Sequence, residues 1–270
     1  MKLSPIIEEI GYYTVLHPDS SNKNLLMTIE HISLLCIAIL VVAFLYSSVG
    51  HAGASGYIAV MTLFGLAPAV IKPSALVLNI LVATIGAFQF WRAGHFSWRI
   101  FWPFAITSAP LAFLGGYLNL PSHVFKILVG VVLLYSAVRL MIRPKPDEDT
   151  QPPSKTIAVS VGAGLGLLSG LTGTGGGIFL TPILIFMRWA KTKTASAVSA
   201  LFILVNSIAG LAGNISSTRQ LPLFAVPLVI CAVTGGAVGS YLGSRQFSPT
   251  FIKRLLAVVL TIAGLKLILT

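Results

Sequence analysis

Apolar stretches of near bilayer length recur from residue 31 to residue 269, and that recurrence decides the fold class. Ten are read, five in each half: 31–48, 57–71, 73–91, 100–118 and 122–142, then 157–172, 177–189, 194–213, 221–243 and 249–269. The hydrocarbon core of a bilayer is about 30 Å thick and takes roughly 20 apolar residues per spanning helix. A soluble domain carries about a quarter of its residues as Asp, Glu, Lys and Arg. Here 9% are charged, 56% are hydrophobic and the mean hydropathy is +0.91. The expected class is an all-α integral membrane protein.

Four regions follow: an extramembrane segment over 1–30, a first membrane repeat over 31–142, a cytoplasmic linker over 143–156 and a second repeat over 157–270. The linker holds four prolines among alternating charges, a solvated composition. The halves match in order. Ser74-Ala75-Leu76 returns as Ser199-Ala200-Leu201, Gly115-Gly116-Tyr117-Leu118 as Gly239-Ser240-Tyr241-Leu242, and Val124-Phe125-Lys126 as Phe251-Ile252-Lys253. If the segments alternate across the bilayer, twelve Lys and Arg fall on one side and six on the other, which makes the first side cytoplasmic. An odd number of crossings per half then predicts inverted repeats. The first two segments of each half are short, so each pair reads either as two crossings or as a re-entrant hairpin.

Between those short segments lie two glycine-rich breaks. The first runs Ser47-Ser48-Val49-Gly50-His51-Ala52-Gly53-Ala54-Ser55-Gly56, the second Thr172-Gly173-Thr174-Gly175-Gly176-Gly177. Such runs hold a helix poorly, since each Gly costs up to about 1 kcal/mol against Ala. Within a membrane, non-helical backbone is tolerated only where it is buried in protein or lines a cavity. A helix starting just after a break turns unpaired N–H groups and its positive dipole end into it, which suits an anion. Paired Gly-interrupted segments in corresponding places of two halves point to a transporter's site. The second run lacks both a dinucleotide fingerprint and a P-loop. Isolated pairs such as Gly235-Gly236 read as helix packing.

All seven acidic residues, Glu8, Glu9, Asp19, Glu30, Asp147, Glu148 and Asp149, lie outside the apolar segments. Proton and cation carriers usually rely on intramembrane carboxylates, so a cation substrate, carboxylate-based metal sites and most hydrolytic chemistry are disfavoured. No enzyme activity, cofactor or metal is expected. The net charge of +11 is scattered, which excludes a nucleic-acid face. Cys36 and Cys231 read as small buried hydrophobes, and residues 1–30 do not read as a signal peptide. Phe90, Trp91, Phe96, Trp98, Phe101, Trp102 and Trp189 form an interfacial belt. His51 either carries a proton or donates to the substrate, or is structural; Lys72, just before Pro73, either reaches into the site or snorkels to the outer interface. Asn79 and Asn206, inside apolar segments, either contact substrate or bond between helices.

The stretch Gly166 to Pro182, with Gly173-Thr174-Gly175-Gly176-Gly177 and Thr181-Pro182, resembles the motif of the TauE/SafE family of sulfite and organosulfur exporters, and the likeness spans roughly residues 31 to 269. The first break departs from the family's usual triple glycine and introduces His51. The resemblance implies a multi-pass protein of the inner cell membrane whose substrate is a sulfur oxyanion. The residues themselves point to a secondary carrier working by alternating access. A passive anion channel and a proton-coupled importer stay open. The expected site combines Ser48, Gly50, His51, Gly53, Ser55, Gly56 and Asn79 with Thr172, Gly173, Thr174, Gly175, Gly176, Gly177 and Asn206, the hydroxyls of Ser48, Ser55, Thr172 and Thr174 donating. Expected partners are a small anionic substrate and the lipid bilayer, with homodimerisation open.

Overall fold

The computed structural model describes residues 29–66, 68–118, 134–135, 137–138, 141, 149–218 and 226–269. Segment 122–142 falls almost wholly outside the described residues, as do nearly all of 1–30 and residues 143–148 of the linker. Among the described residues there are nine continuous helices and no strand. In chain order they are α1 (Ile29–Ser48), α2 (Ala54–Leu63), α3 (Pro68–Arg92), α4 (Trp98–Tyr117), α5 (Lys155–Thr172), α6 (Gly177–Phe186), α7 (Thr192–Thr218), α8 (Val226–Arg245) and α9 (Pro249–Leu269). Five of them (α3, α4, α5, α7 and α8) are long and apolar enough to cross a bilayer. Large apolar side chains such as Leu34, Ile37, Ile106, Ile208 and Val238 face outward, as lipid-facing surfaces require. The protein is an all-α integral membrane protein.

The two breaks have one backbone plan. Helix α1 stops at Ser48 and Gly50 follows at φ 80°; Gly53, at φ 107°, then opens α2. Helix α5 stops at Thr172 with Gly173 at φ 71°, and Gly176, at φ 78°, opens α6. Left-handed backbone costs an ordinary L-residue roughly 1–2 kcal/mol, so glycine at both ends of each break is what lets the chain leave one helix and enter the next. Helices α2 and α6 have 10 residues each, about 15 Å of rise, half of what a crossing needs.

Small residues hold the long helices together at backbone distance. On α5, Gly162, Gly166 and Gly170 lie against the carbonyls of Phe104, Ser108 and Ala112 on α4. Each pair is separated by the same 58 positions, so α4 and α5 run parallel. On α8, Gly235, Gly239 and Gly243 lie against the carbonyls of Leu40, Phe44 and Ser48 on α1, each 195 positions apart, again parallel. A methyl group at any of the six would overlap backbone, so side-chain bulk cannot be added without separating the helices. Lipid offers no hydrophobic drive for association, and this close packing supplies the attraction instead. The reading of Gly235-Gly236 as packing residues is met: Gly236 stands against Val82 of α3. At the centre, α3 and α7 cross antiparallel, with Asn79 bonded to Ser207 and Gly86 facing Ala200.

Candidate substrate site

Asn79 joins the two breaks. Its Oδ1 accepts from the Ala54 N–H at the start of α2 (3.0 Å), and its Nδ2 donates to Ser207 Oγ (2.9 Å) and to the Thr174 carbonyl (3.4 Å). His51, in the first break, reaches the second hairpin. The Thr181 hydroxyl on α6 donates to Ser199 Oγ (2.7 Å), so its oxygen accepts from His51 Nε2–H (2.8 Å). The His51 ring also faces the Gly177 backbone, while Nδ1 makes no hydrogen bond of good geometry. Asn79 and His51 are both buried, and each spans from one half of the chain to the other.

The four hydroxyls expected to serve as donors are already committed. Ser48 donates to the Phe44 carbonyl (2.7 Å), Thr172 to the Leu168 carbonyl (2.7 Å) and Ser55 to Tyr46 Oη (3.1 Å). With its own proton spent, Thr172 accepts from the Thr174 hydroxyl (2.8 Å). The reason is geometric: a Ser or Thr in a helix readily bonds the carbonyl one turn back. Gly56 sits within α2, packed on Val42 and Tyr46. Gly50 lies against Ser196, and Gly53 against the Tyr57 ring, whose hydroxyl donates to the Ala52 carbonyl (2.6 Å). Asn206 is fully buried with neither amide atom bonded, and its neighbour Ser207, rather than Asn206, meets Asn79.

The second break keeps its backbone open. Gly173 N–H donates to the Ser169 carbonyl, and Phe179 N–H to the Gly176 carbonyl. Among the described residues, none of the five amides of 174–178 between them has a backbone or side-chain acceptor. All five residues are buried. Buried N–H groups are rarely left unpaired, because each costs about as much as a lost hydrogen bond. Glycines at 173, 175 and 176 take left-handed backbone, a conformation found in turns whose successive amides can receive an anion.

Two residues that the sequence reading left out of the site border this run. The stem of Lys72 crosses Gly173, where a Cβ would stand 3.0 Å from its Cγ. Ser169, buried and with an unbonded hydroxyl, stands against Gly176. Of the two readings open for Lys72, the fold favours the one that brings it to the site, across 101 positions from Gly173. Its one sequence signal was a cation at the head of an apolar segment.

Residues 35–267 match the family described as Sulfite exporter TauE/SafE. The chain belongs to this family. It is 41% identical over 239 residues to the probable membrane transporter protein y4hK of Sinorhizobium fredii, covering 87% of this chain and 97% of that one. It is 25% identical over 238 residues to the probable membrane transporter protein YjnA of Bacillus subtilis, covering 81% and 92%. No solved structure matches. This TauE/SafE protein is thus a multi-pass membrane transporter.

Proposed function

We propose that the chain is a secondary transporter that exports a small sulfur oxyanion, such as sulfite or an organosulfonate, across the inner cell membrane. The observation that carries this reading is the run of five buried, unpaired amides over 174–178 beside Lys72. Amides and one ammonium suit an oxyanion, which accepts hydrogen bonds on every oxygen. No apolar segment holds a carboxylate to repel it. Ser169 Oγ adds a donor next to Gly176. Asn79 and His51 fix the first hairpin against the second, so the site has one shape.

The packing supports an inverted duplication. Helices α3 and α7 hold corresponding places in the two halves and run antiparallel. The pair α4–α5 has its counterpart in α8–α1. Each glycine seam joins a helix of one half to a helix of the other. The bodies that move in alternating access are therefore α1 with α8 and α4 with α5, rather than the two sequence halves. Export of one negative charge from a negative interior gains about 2.3 kcal/mol per 100 mV, so outward flux needs no further coupling.

The test is charge movement in proteoliposomes as sulfite, thiosulfate, sulfoacetate, sulfate and chloride are applied in turn. A saturable current for a sulfur oxyanion, lost in Gly175→Leu, is expected. Flux that rises linearly with concentration would instead make the protein a channel. Absence of both current and internal pH change for every anion would overturn the proposal.

A further inference from the structure

The glycine seam between α1 and α8 continues one turn past its last glycine, and there it places two thiols face to face. Gly243, Gly239 and Gly235 each meet the α1 residue 195 positions earlier. One turn toward the N-terminal ends of both helices, that same separation pairs Cys231 with Cys36. The side chains obey the register: the two thiols are within hydrogen-bonding reach of each other. Both are free, half-buried and packed against the same apolar cluster. Leu34, Ile37, Leu40 and Ile230 around them are exposed on the apolar surface, so the pair lies at the rim of the seam, open to a reagent dissolved in lipid. A reading of the two as unrelated buried hydrophobes follows from their distance in sequence. The parallel register removes that distance.

We propose that Cys36 and Cys231 form a dithiol–disulfide pair, a modification site for a two-electron thiol oxidant of the disulfide class that enters from the membrane. One cysteine attacks the oxidant's S–S bond, forming a mixed disulfide and releasing one thiol. The other cysteine then attacks the mixed disulfide at the first cysteine's sulfur, releasing the second thiol. Both protein sulfurs end oxidised in one S–S bond, and the oxidant is reduced to two thiols that carry away the two protons. A disulfide needs Cα atoms about 4.4–6.8 Å apart, and the cysteines lie one turn beyond the glycine-to-carbonyl contact of Gly235 with Leu40, in the same register. The bond staples the first half of the chain to the second. Because α1 and α8 already form one packed body, the staple fits the folded protein as it stands. This inference is independent of the anion site.

The probe is 2,2′-dithiodipyridine, an aromatic disulfide that partitions into lipid, applied to the purified full-length protein in proteoliposomes. The expected result is two pyridinethiones released per chain, a protein mass lower by two hydrogens, and one linked peptide pair containing Cys36 and Cys231. The product should unfold at a higher temperature than the untreated protein, a shift reversed by dithiothreitol. Cys36→Ser and Cys231→Ser should each release one thione and keep one pyridylthio group. Two retained pyridylthio groups on the wild-type protein, or no reaction at either sulfur, would overturn the proposal. The wild-type peptide map decides the matter even if a serine variant fails to fold.

Discussion

The two breaks share a backbone and differ in what fills it. In the first, the amides of Val49, Gly50 and His51 close onto carbonyls at the end of α1 and Asn79 caps Ala54, which leaves those of Ala52, Gly53, Ser55 and Gly56 without an acceptor among the described residues. Tyr46, His51 and Tyr57 fill the remaining space, with Tyr57 wholly buried. In the second, three glycines stand where the first has Ala52, Gly53 and Ala54, and the amides of 174–178 have no acceptor among the described residues. Ile203 of α7 packs on Gly177 at the start of α6, whose backbone the His51 ring also faces. The first hairpin is thus packed with its own larger side chains, while the glycines of the second are covered by Asn79 of α3 and by Phe202, Ile203 and Ser207 of α7, with the Lys72 stem over Gly173.

The largest effect should come from adding bulk to the second break. In Gly175→Leu the new side chain meets Asn79, Ile203 and Ser207 at a left-handed position. Overpacking alone costs about 1–3 kcal/mol. Transport should fall to background in protein that still elutes as a folded species. Next is Lys72→Met, which removes the charge and keeps the stem. A charge-assisted hydrogen bond contributes about 1.5–3 kcal/mol, so KM for the anion should rise roughly 10- to 150-fold, while Lys72→Arg keeps most of the affinity. His51→Gln should be milder. Losing the Thr181 contact costs about 1 kcal/mol of stability, read as a lower Tm, and KM should stay within about threefold, well under a 1.4 kcal/mol change. A KM effect from His51 as large as that from Lys72 would erase the distinction between the breaks.

The smallest effect lies away from both breaks, at the junction of α3 and α4. His95 Nε2 and Lys193 Nζ both meet the Ser244 carbonyl (3.0 and 3.3 Å). Burial holds the His95 pKa below its ordinary value, the Ser244 bond acts the other way, and Lys193 lowers it further. The folded state therefore binds a proton less readily than the unfolded chain. The stability this gives is full above the ordinary histidine range, near pH 6.5, and is lost as pH falls from there through the folded pKa. Tm should drop modestly between pH 7 and pH 5, and His95→Asn should flatten part of that slope.

The sequence disclosed the fold class because lipid sets the length and polarity of every span. It disclosed the breaks because glycine alone tolerates the backbone at 50, 53, 173 and 176. The roles of hydroxyls were less legible: Ser48 and Thr172 turn back to their own helices, while Ser169, one position before Gly170, keeps its proton free. Whether a helical hydroxyl bonds the carbonyl one turn earlier depends on rotamer and neighbours, which spacing does not record. The partners of Gly173 and Cys36, Lys72 and Cys231, depend on helix register across halves. The four-residue glycine spacing at 162, 166 and 170, and at 235, 239 and 243, was the available signal.

The most direct test of the account is amide NMR on protein labelled with ¹⁵N-glycine, titrated with sulfite. The account predicts saturable shifts at Gly175, Gly176 and Gly177, with Gly50, Gly53 and Gly56 nearly unmoved and the response weakened in Lys72→Met. Equal shifts in both breaks, or shifts confined to the first, would contradict it.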